Sequence, residues 1–479
     1  MERLWWGMPF GSILSVDFSG EEEEVALVAR YGVEQGMVSV AALKGMWGET
    51  VRWEGVETVE WEVLKLRRQV REGISLVVVG RGVEEGDREM VFKSVLGEQG
   101  YMYNELKMLL SLAPHSNVIG RPLGLVTKKG RFGNRRGVCG FLLEWFPMGS
   151  LRETLLKGNC RETASLAQKF RWAIQVIEAL VHVNRHARAG FYPDLKPDNV
   201  VLRESAETGM SDAILIDLEQ RGGWFAWSPP EVAYLEYLEI LVGDEGMPKG
   251  SVKDEVLKQL REYYGDPTWV PEASSRRYQN ADGGFSLPWL ALLRERVTCG
   301  AHRDLLERAQ VFMLGKFLWC IFEGQPLVRC GIDHEVLRDA DPEYESRTLG
   351  TARAFPEFRE TPVELRELIR NCTAGAPEWA NFQPGLPGVV LRSGKLYPAI
   401  PYAKLGELAA VDTQETARRF WQAEVERARA FLREVLLLRG KPQHGLQEPT
   451  LAAVFLDQVR RRPLFSEVLG ELKCLSARL

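Results

Sequence analysis

The sequence has few cysteines and no cysteine motif. Its 479 residues include seven cysteines, and no two are as close as the pair in a Cys-x-x-Cys motif: Cys139, Cys160, Cys299, Cys320, Cys330, Cys372 and Cys474. Structural zinc sites and small disulfide frameworks need closely spaced cysteines, so we expect neither. Widely spaced cysteines are instead typical of proteins from a reducing compartment.

Long apolar runs and an excess of positive charge are also lacking. No stretch reaches the roughly 20 apolar residues that a membrane span requires, and the first residues, MERLWWGMPFGSIL, lack the apolar core of a signal peptide. The formal net charge of −5 provides no basic field to attract nucleic acid. We therefore expect a cytoplasmic protein, with a nuclear location also open, that has neither a membrane nor a nucleic acid as its partner.

The composition is that of a globular protein, with 45% hydrophobic and 27% charged residues. The chain is longer than one ordinary domain. Near its beginning, three apolar runs separated by glycines predict short strands, namely SILSVDF, EVALVARY and MVSVAAL. These runs predict a β-rich N-terminal extension over residues 1–55.

The most informative segment lies between residues 191 and 219. Asp194, Lys196 and Asn199 occur together in DLKPDN, and the apolar run AILI leads into Asp217. Such residues suit phosphoryl transfer, which needs an acceptor for a hydroxyl proton and oxygen ligands for metal ions. Their order and spacing resemble the catalytic core of the eukaryotic-type protein kinase superfamily.

The resemblance implies a role for each of these residues. Asp194 would accept or orient the proton of the attacking hydroxyl, and Lys196 would offset negative charge on the transferred phosphoryl group. Asn199 and Asp217 would hold the magnesium ions that bridge the phosphates. ATP and Mg²⁺ are therefore the implied cofactors.

The residues before this segment resemble the small lobe of the same family. WEVLKL, SLVVVG and REMVFKSV predict three antiparallel strands, and Lys93 on the third takes the position of the lysine that contacts the α- and β-phosphates. The amphipathic segment YMYNELKMLLSL predicts a helix, whose Glu105 would pair with that lysine. In the turn RRQVREGIS, Gly73 is the one glycine left in what would be the phosphate-covering loop.

The segment GFLLEWFPMGSL resembles the hinge between the two kinase lobes. An adenine site requires flat apolar walls and main-chain polar groups. By the resemblance, Leu143 would guard the back of the adenine pocket. The backbone of Glu144 and Phe146 would hydrogen-bond the base.

The implied fold class is α+β, a bilobal protein-kinase-like fold with a small antiparallel β lobe and a larger helical lobe. The small lobe is predicted over residues 56–143 and the large lobe over residues 144–479. Two insertions interrupt the large lobe, at about residues 234–300 and 376–457. Within the second insertion, residues 413–439 predict an amphipathic helix that either packs on the lobe or binds a partner.

Further helices are predicted by apolar spacing over residues 162–187, in SVKDEVLKQLREYYG and in RAQVFMLGKFLWCIFEGQPL. The last of these resembles the central buried helix of the kinase large lobe. By the same resemblance, Arg462 would pair with Glu231 in the interior of that lobe.

Several positions depart from the family pattern. Tyr192 and Pro193 replace the His-Arg pair that usually precedes the aspartate, and Gln310 replaces the aspartate that usually fastens the catalytic loop. Glu219 stands where the family has glycine, and it is either a second carboxylate ligand for magnesium or a plain substitution. The segment RGGWFAWSPPE that follows is short, and Ser228 is its only hydroxyl residue.

Three functions stay open on the sequence. We favour an ATP- and magnesium-dependent phosphotransferase of an atypical Ser/Thr protein-kinase-like type, which moves the γ-phosphoryl group to a hydroxyl of an unknown protein or small molecule. The alternative is a small-metabolite kinase of the same fold, indicated by the Asp-Leu-Glu sequence and the short activation segment. The second alternative is a pseudokinase scaffold, indicated by the lost glycines and by large insertions that could bind a protein partner.

Overall fold

The protein combines helices with β-strands, which confirms the α+β class. The computed structural model describes residues 14–18, 25–29, 36–71, 73–80, 88–94, 99–130, 136–156, 164–186, 190–205, 209–219, 227–243, 251–271, 288–289, 291–292, 304–328, 332–333, 355–380, 389–392, 395–398, 410–439 and 457–479. In chain order, its strands are β1 (Leu14–Phe18), β2 (Val25–Ala29), β3 (Glu57–Glu60), β4 (Leu64–Arg71), β5 (Ile74–Val79), β6 (Met90–Ser94), β7 (Gly124–Lys129), β8 (Arg136–Glu144), β9 (Val200–Glu204), β10 (Ser211–Leu215), β11 (Ile332–Asp333), β12 (Val389–Arg392) and β13 (Lys395–Pro398). Its α-helices are α1 (Val40–Trp47), α2 (Gln99–Ser111), α3 (Leu151–Leu156), α4 (Leu166–His186), α5 (Pro230–Gly243), α6 (Ser251–Tyr264), α7 (Leu305–Glu323), α8 (Val363–Cys372), α9 (Pro377–Ala380), α10 (Ala410–Arg439) and α11 (Phe465–Arg478).

Six of the strands form one mixed sheet in the order β3-β7-β8-β6-β5-β4. Strands β4, β5 and β6 pair in antiparallel orientation, as the sequence predicts. The prediction of a purely antiparallel sheet was wrong, because β3 pairs in parallel with β7 at one edge. A parallel pair needs a long connection, and β4, β5, β6 and α2 all lie between these two strands in the chain.

The run MVSVAAL was predicted as a strand, but its second half enters helix α1. Ser39 caps this helix, because its hydroxyl accepts the N–H of Ala42 at 3.1 Å. Leu43 and Trp47 are four residues apart and both are buried, as one face of a helix requires. The strand prediction failed because a short apolar run fits either structure. SILSVDF and EVALVARY do contain β1 and β2, which pair with each other.

The residues just before α1 are hydrogen-bonded to the sheet and to helix α2. The N–H of Val138 on β8 donates to the carbonyl of Val38 at 2.9 Å. The N–H of Val38 donates to the hydroxyl of Tyr103 at 2.8 Å, and this hydroxyl donates to the carbonyl of Val138 at 2.9 Å. This closed set of hydrogen bonds fixes the start of α1 against the six-stranded sheet.

One apolar core connects the sheet to the helices that follow it. Leu106 of α2, Phe141 of β8, Ile177 of α4 and Phe317 of α7 all belong to it and are fully buried. Helix α7 is buried along almost its whole length, as expected for a central helix. Neither α7 nor any other helix in the described part of the chain is long and apolar enough to cross a membrane. The predicted boundaries after residues 55 and 143 stay predictions.

A second, smaller core joins the two predicted insertions. Helix α5 begins just before the first insertion and continues into it, α6 lies within that insertion, and α10 lies in the second. Leu235 and Leu238 of α5, Leu260 of α6 and Leu432 of α10 are fully buried in this core. The helix predicted over residues 413–439 therefore packs against helices α5 and α6.

A buried ion pair fastens the end of the chain to the start of α5. The guanidinium of Arg462 is fully buried and binds both carboxylate oxygens of Glu231, at 2.7 and 3.2 Å. Its Nε donates to the carbonyl of Ala374 at 2.8 Å, and the group lies 4.8 Å from the ring centre of Phe312. The pair expected between Arg462 and Glu231 thus forms, and each charge has its partner in the interior.

A second buried carboxylate organises the segment after helix α7. Glu323 accepts hydrogen bonds from the backbone N–H groups of Arg359, Glu360 and Thr361, and from the Thr361 hydroxyl. Burial alone would raise the pKa of Glu323, but these hydrogen bonds outweigh it and hold the pKa below its ordinary value. The ionised form of Glu323 therefore stabilises the fold.

We predict that Arg462→Met lowers the free energy of unfolding by about 3–5 kcal/mol, because it leaves the Glu231 charge buried without its partner. Chemical denaturation of both proteins measures this loss. Arg461→Met is the matched control, since Arg461 is 74% exposed and pairs with Asp457 at the surface. The control should stay within about 0.5 kcal/mol of the wild type. Equal stability of the two variants would contradict the prediction.

We also predict that the stabilisation by Glu323 depends on pH. The pKa of Glu323 is lowered in the folded state, so its contribution is complete above the unfolded pKa of about 4.3 and is lost as the pH falls through the folded pKa. Glu323→Gln should lower the free energy of unfolding by about 1–3 kcal/mol at pH 7. Denaturation curves from pH 7 to pH 3 should show this difference shrinking. The exposed Glu364→Gln serves as control, and a difference independent of pH would refute the assignment.

Candidate functional site

Lys93 lies on β6, inside the mixed sheet. Its partners across the sheet are Ile74 on β5 and Phe141 on β8. Gly73 forms the turn before β5 with a left-handed φ of 71°, which glycine adopts without strain. Its carbonyl accepts the N–H of Ser94 at 2.8 Å. The turn that the sequence predicts as the phosphate-covering loop therefore lies beside Lys93.

Three carboxylates surround the ammonium group of Lys93. Its Nζ lies 2.7 Å from Oε2 of Glu105, 2.7 Å from Oδ1 of Asp217 and 2.8 Å from Oε1 of Glu219. Glu105 belongs to α2, whereas Asp217 and Glu219 follow β10. The ammonium group thus joins two segments that are more than one hundred residues apart in the chain.

Burial governs the ionisation of this cluster. It raises the pKa of Glu105 to about 8, against the opposing effect of Lys93. Burial alone would lower the pKa of Lys93, but Asp217, Glu105 and Glu219 hold that pKa well above its ordinary value. Three carboxylates around one ammonium group leave an excess of negative charge, which a further cation would relieve.

The backbone at Asp217 has an uncommon conformation. Its φ of 63° is the one left-handed value of a non-glycine residue in the described ranges, and such strain is typical of functional sites. The next residue, Leu218, is fully buried and fixes the turn in the core. Asn104 of α2 donates through Nδ2 to the carbonyl of Glu219 at 3.3 Å. These contacts direct both carboxylates toward Lys93.

A second cluster forms around Asp194. Oδ2 of Asp194 lies 3.0 Å from Nζ of Lys196 and accepts Nδ2 of Asn199 at 2.8 Å. Its other oxygen, Oδ1, is buried and has no hydrogen-bond partner among the described residues. Burial raises the pKa of Asp194 to about 6, Lys196 opposes the rise, and the charge of Asp217 adds to it. The two clusters are therefore close enough to interact.

Residues that depart from the kinase pattern hold this loop in place. The N–H of Tyr192 donates to Oε1 of Gln310 at 2.8 Å, so the glutamine supplies the acceptor that the missing aspartate would have supplied. The Tyr192 hydroxyl donates to the carbonyl of Ile216 at 2.5 Å. The N–H of Ile216 donates in turn to the carbonyl of Asn199 at 2.9 Å. These bonds tie the loop to the residue directly before Asp217.

The loop after α2 is also attached to strand β10. The N–H of Leu215 donates to the carbonyl of Asn117 at 2.8 Å, and the carbonyl of Leu215 accepts the N–H of Ile119 at 2.8 Å. Nδ2 of Asn117 donates to the carbonyl of Ala213 at 2.9 Å. Helix α2 and the 217–219 segment are thus connected by backbone contacts as well as through Lys93.

The predicted hinge residues lie at and just beyond the end of β8. Leu143 and Glu144 pair with Val91 and Met90 of β6, the strand that carries Lys93. Phe146 is buried in the main core. Arg68 of β4 lies 5.5 Å from the ring centre of Trp145, so strand β4 and this segment approach each other.

No protein-family model and no curated protein matches this chain. The resemblance to protein kinases therefore depends on the sequence motifs and stays a prediction. The structure brings Lys93, Glu105, Asp217 and Glu219 into one cluster, and it brings Asp194, Lys196 and Asn199 into another. Gly73 lies beside the first cluster, and Leu143, Glu144 and Phe146 lie on the adjoining segment of β8 and just beyond it.

The donor set fits magnesium. Oxygens of Glu105, Asp217 and Glu219 lie within 4.8 Å of one another, and carboxylate oxygens are the ligands that hard divalent cations prefer. Nδ2 of Asn199 donates to Asp194, so its amide oxygen is the atom suited to a cation. The ammonium of Lys93 lies among the three carboxylates, so a cation there would share these ligands with Lys93.

One contact beneath the loop that carries Asp194 has no signal in the sequence. Trp289, from the first insertion, is fully buried and stacks on Phe191, with ring centres 5.8 Å apart and planes inclined by 12°. Phe191 lies three residues before Asp194. The partners are almost one hundred residues apart, and the surrounding insertion has no regular pattern, so the contact could not be predicted.

The short segment after Glu219 ends in buried residues. Trp227 and Ser228 are 5% and 3% exposed, so the indole anchors the segment in the core and the hydroxyl is shielded. Trp224, the other tryptophan of this segment, lies outside the described residues. Ser228 is therefore a poor acceptor for a regulatory phosphate.

We predict that Tyr192→Phe lowers the free energy of unfolding by about 1–2 kcal/mol, because the buried carbonyl of Ile216 loses its hydroxyl donor. Chemical denaturation measures this loss. Gln310→Met removes the other bond to Tyr192 and should have a comparable effect. Because both bonds hold one loop, the double variant should lose less than the sum of the two single losses. Fully additive losses would show that the two bonds act independently.

Proposed function

We propose that the protein is an ATP- and magnesium-dependent phosphotransferase with a bilobal protein-kinase-like fold. The observation that carries the proposal is the Asp194 carboxylate. Its Oδ2 is held by Lys196 and Asn199, while the buried Oδ1 has no hydrogen-bond partner in the part of the chain that the structure describes. A buried acceptor without a partner is rare and needs an explanation. The hydroxyl of a substrate would supply the missing donor.

The reaction follows from this arrangement. The hydroxyl oxygen of the substrate attacks the γ-phosphorus of ATP while the bond from that phosphorus to the leaving ADP breaks. Asp194 takes the proton from the hydroxyl, and the products are ADP and a phosphate ester. Lys196, at 3.0 Å from Asp194, is placed to offset charge on the phosphoryl group.

Nucleotide binding is assigned to the first cluster and to β8. Lys93 would contact the α- and β-phosphates, and Glu105 would keep the Lys93 side chain extended. When bound, magnesium neutralises charge on the phosphates, and Asp217, Asn199 and Glu219 would hold it. The adenine would lie against Leu143 and bond to the backbone of Glu144 and Phe146, beneath the turn at Gly73.

The class of substrate is the second part of the proposal. The buried pair of Arg462 and Glu231 supports the Ser/Thr protein-kinase-like type. Glu219 beside Asp217, together with the short segment that ends in buried Trp227 and Ser228, supports a small-metabolite kinase as the second candidate. The proposal places the protein in the cytoplasm, with neither a membrane nor a nucleic acid as partner.

We predict that Asp194→Asn slows phosphoryl transfer by roughly 10²–10⁴-fold, the usual contribution of a positioned base. Its affinity for the magnesium complex of ADP should stay within about threefold of wild type, because no assigned nucleotide contact is removed. Calorimetric titration measures the affinity. Product formation from ATP with pooled peptides and pooled small hydroxyl compounds measures the transfer.

Asp254→Asn is the control, since Asp254 is an exposed carboxylate on helix α6. It should leave both measurements unchanged. Equal transfer rates for wild type and Asp194→Asn would move the base elsewhere. Tight nucleotide binding without transfer to any acceptor would support the pseudokinase alternative instead.

A further inference from the structure

The Lys93 ammonium group is surrounded by carboxylate oxygens. An ammonium group has three hydrogens to donate, and three carboxylate oxygens lie within 2.8 Å of its nitrogen. A nucleotide phosphate that binds Lys93 must therefore displace or share at least one carboxylate. One of the three carboxylates must then lose its contact with the Lys93 ammonium group.

Burial distinguishes the three carboxylates. The Glu105 side chain is 2% exposed, whereas those of Asp217 and Glu219 are 33% and 21% exposed. Separating Glu105 from Lys93 would leave a buried polar group without its partner, which is unfavourable. Asp217 and Glu219 reach solvent, so they are the carboxylates that can be released.

A released carboxylate needs a new positive partner. A nucleotide without a cation brings only further negative charge to a cluster in which three carboxylates already outnumber one ammonium group. A nucleotide that arrives with a divalent cation brings a positive charge that carboxylate oxygens bind well. Glu219 adds the third carboxylate, so it increases the difference in affinity between the metal-free nucleotide and the nucleotide–metal complex.

We propose that Glu219 is a specificity-determining residue that makes the site reject the metal-free nucleotide and accept the nucleotide–metal complex. This inference rests on the proposed function, because it presumes that the Lys93 cluster receives nucleotide phosphates. In this role Glu219 competes with the nucleotide phosphates for Lys93. The role is separate from that of a ligand for the cation. Occupation of Lys93 predicts that removing the Glu219 charge tightens binding of the metal-free nucleotide, whereas a simple metal ligand predicts no change.

The test compares dissociation constants for ADP, by calorimetric titration, in excess EDTA and in excess Mg²⁺. Glu219→Gln keeps the size of the side chain and removes its charge, so it should tighten binding of metal-free ADP by roughly three- to tenfold. Binding of the magnesium complex should be unchanged or weaker. Glu219→Gly is a second variant that should shift the metal-free constant in the same direction.

Glu89→Gln is the matched control, since Glu89 is an exposed carboxylate just before β6. It should leave both constants at the wild-type values. Metal-free ADP binding that is unchanged or weakened in both Glu219 variants would overturn the inference, and a weaker magnesium complex alone would mark Glu219 as a simple metal ligand. Failure of the wild type to bind ADP in either condition would overturn the proposed function as well.

Discussion

The Lys93 ammonium group contacts three carboxylates, and the arrangement of the site depends on it. Without it, the buried Glu105 would lose its partner, and the carboxylates of Asp217 and Glu219 would lose the positive charge that lies between them. The group belongs to the sheet, whereas its partners belong to helix α2 and to the segment after β10. A single side chain therefore fixes the positions of the sheet, the helix and the segment relative to one another.

Hydrogen bonds extend this constraint to the loop that carries Asp194. Ile216 accepts from the Tyr192 hydroxyl and donates to the Asn199 carbonyl, directly before the strained backbone of Asp217. Tyr192 is in turn held by Gln310 of the buried helix α7. The proposed base, the proposed metal ligands and the proposed phosphate contact are thus fixed by one connected set of contacts through the main core.

Much of the site could be predicted from the sequence, since it consists of short motifs on regular elements. Lys93 follows an alternating strand pattern and Glu105 lies on a clear amphipathic helix, so both positions are local properties of the chain. The strand β3 could not be foreseen, because its sequence ETVE is half glutamate, a residue depleted in strands. The run that enters α1 was misjudged because its helical cap at Ser39 decides between two structures that suit its apolar residues equally. Gln310 was recognised as a departure, but only the structure shows that its amide oxygen still binds the loop.

The stack of Trp289 on Phe191 bears on whether the first insertion can be removed from the chain. An inserted surface segment is usually expected to tolerate deletion without damage to the core. Here the segment returns an indole to the loop that carries Asp194, in the same core as the loop itself. A shortened chain would leave a void the size of that indole beneath this loop. The first insertion is therefore part of the structure that supports the loop.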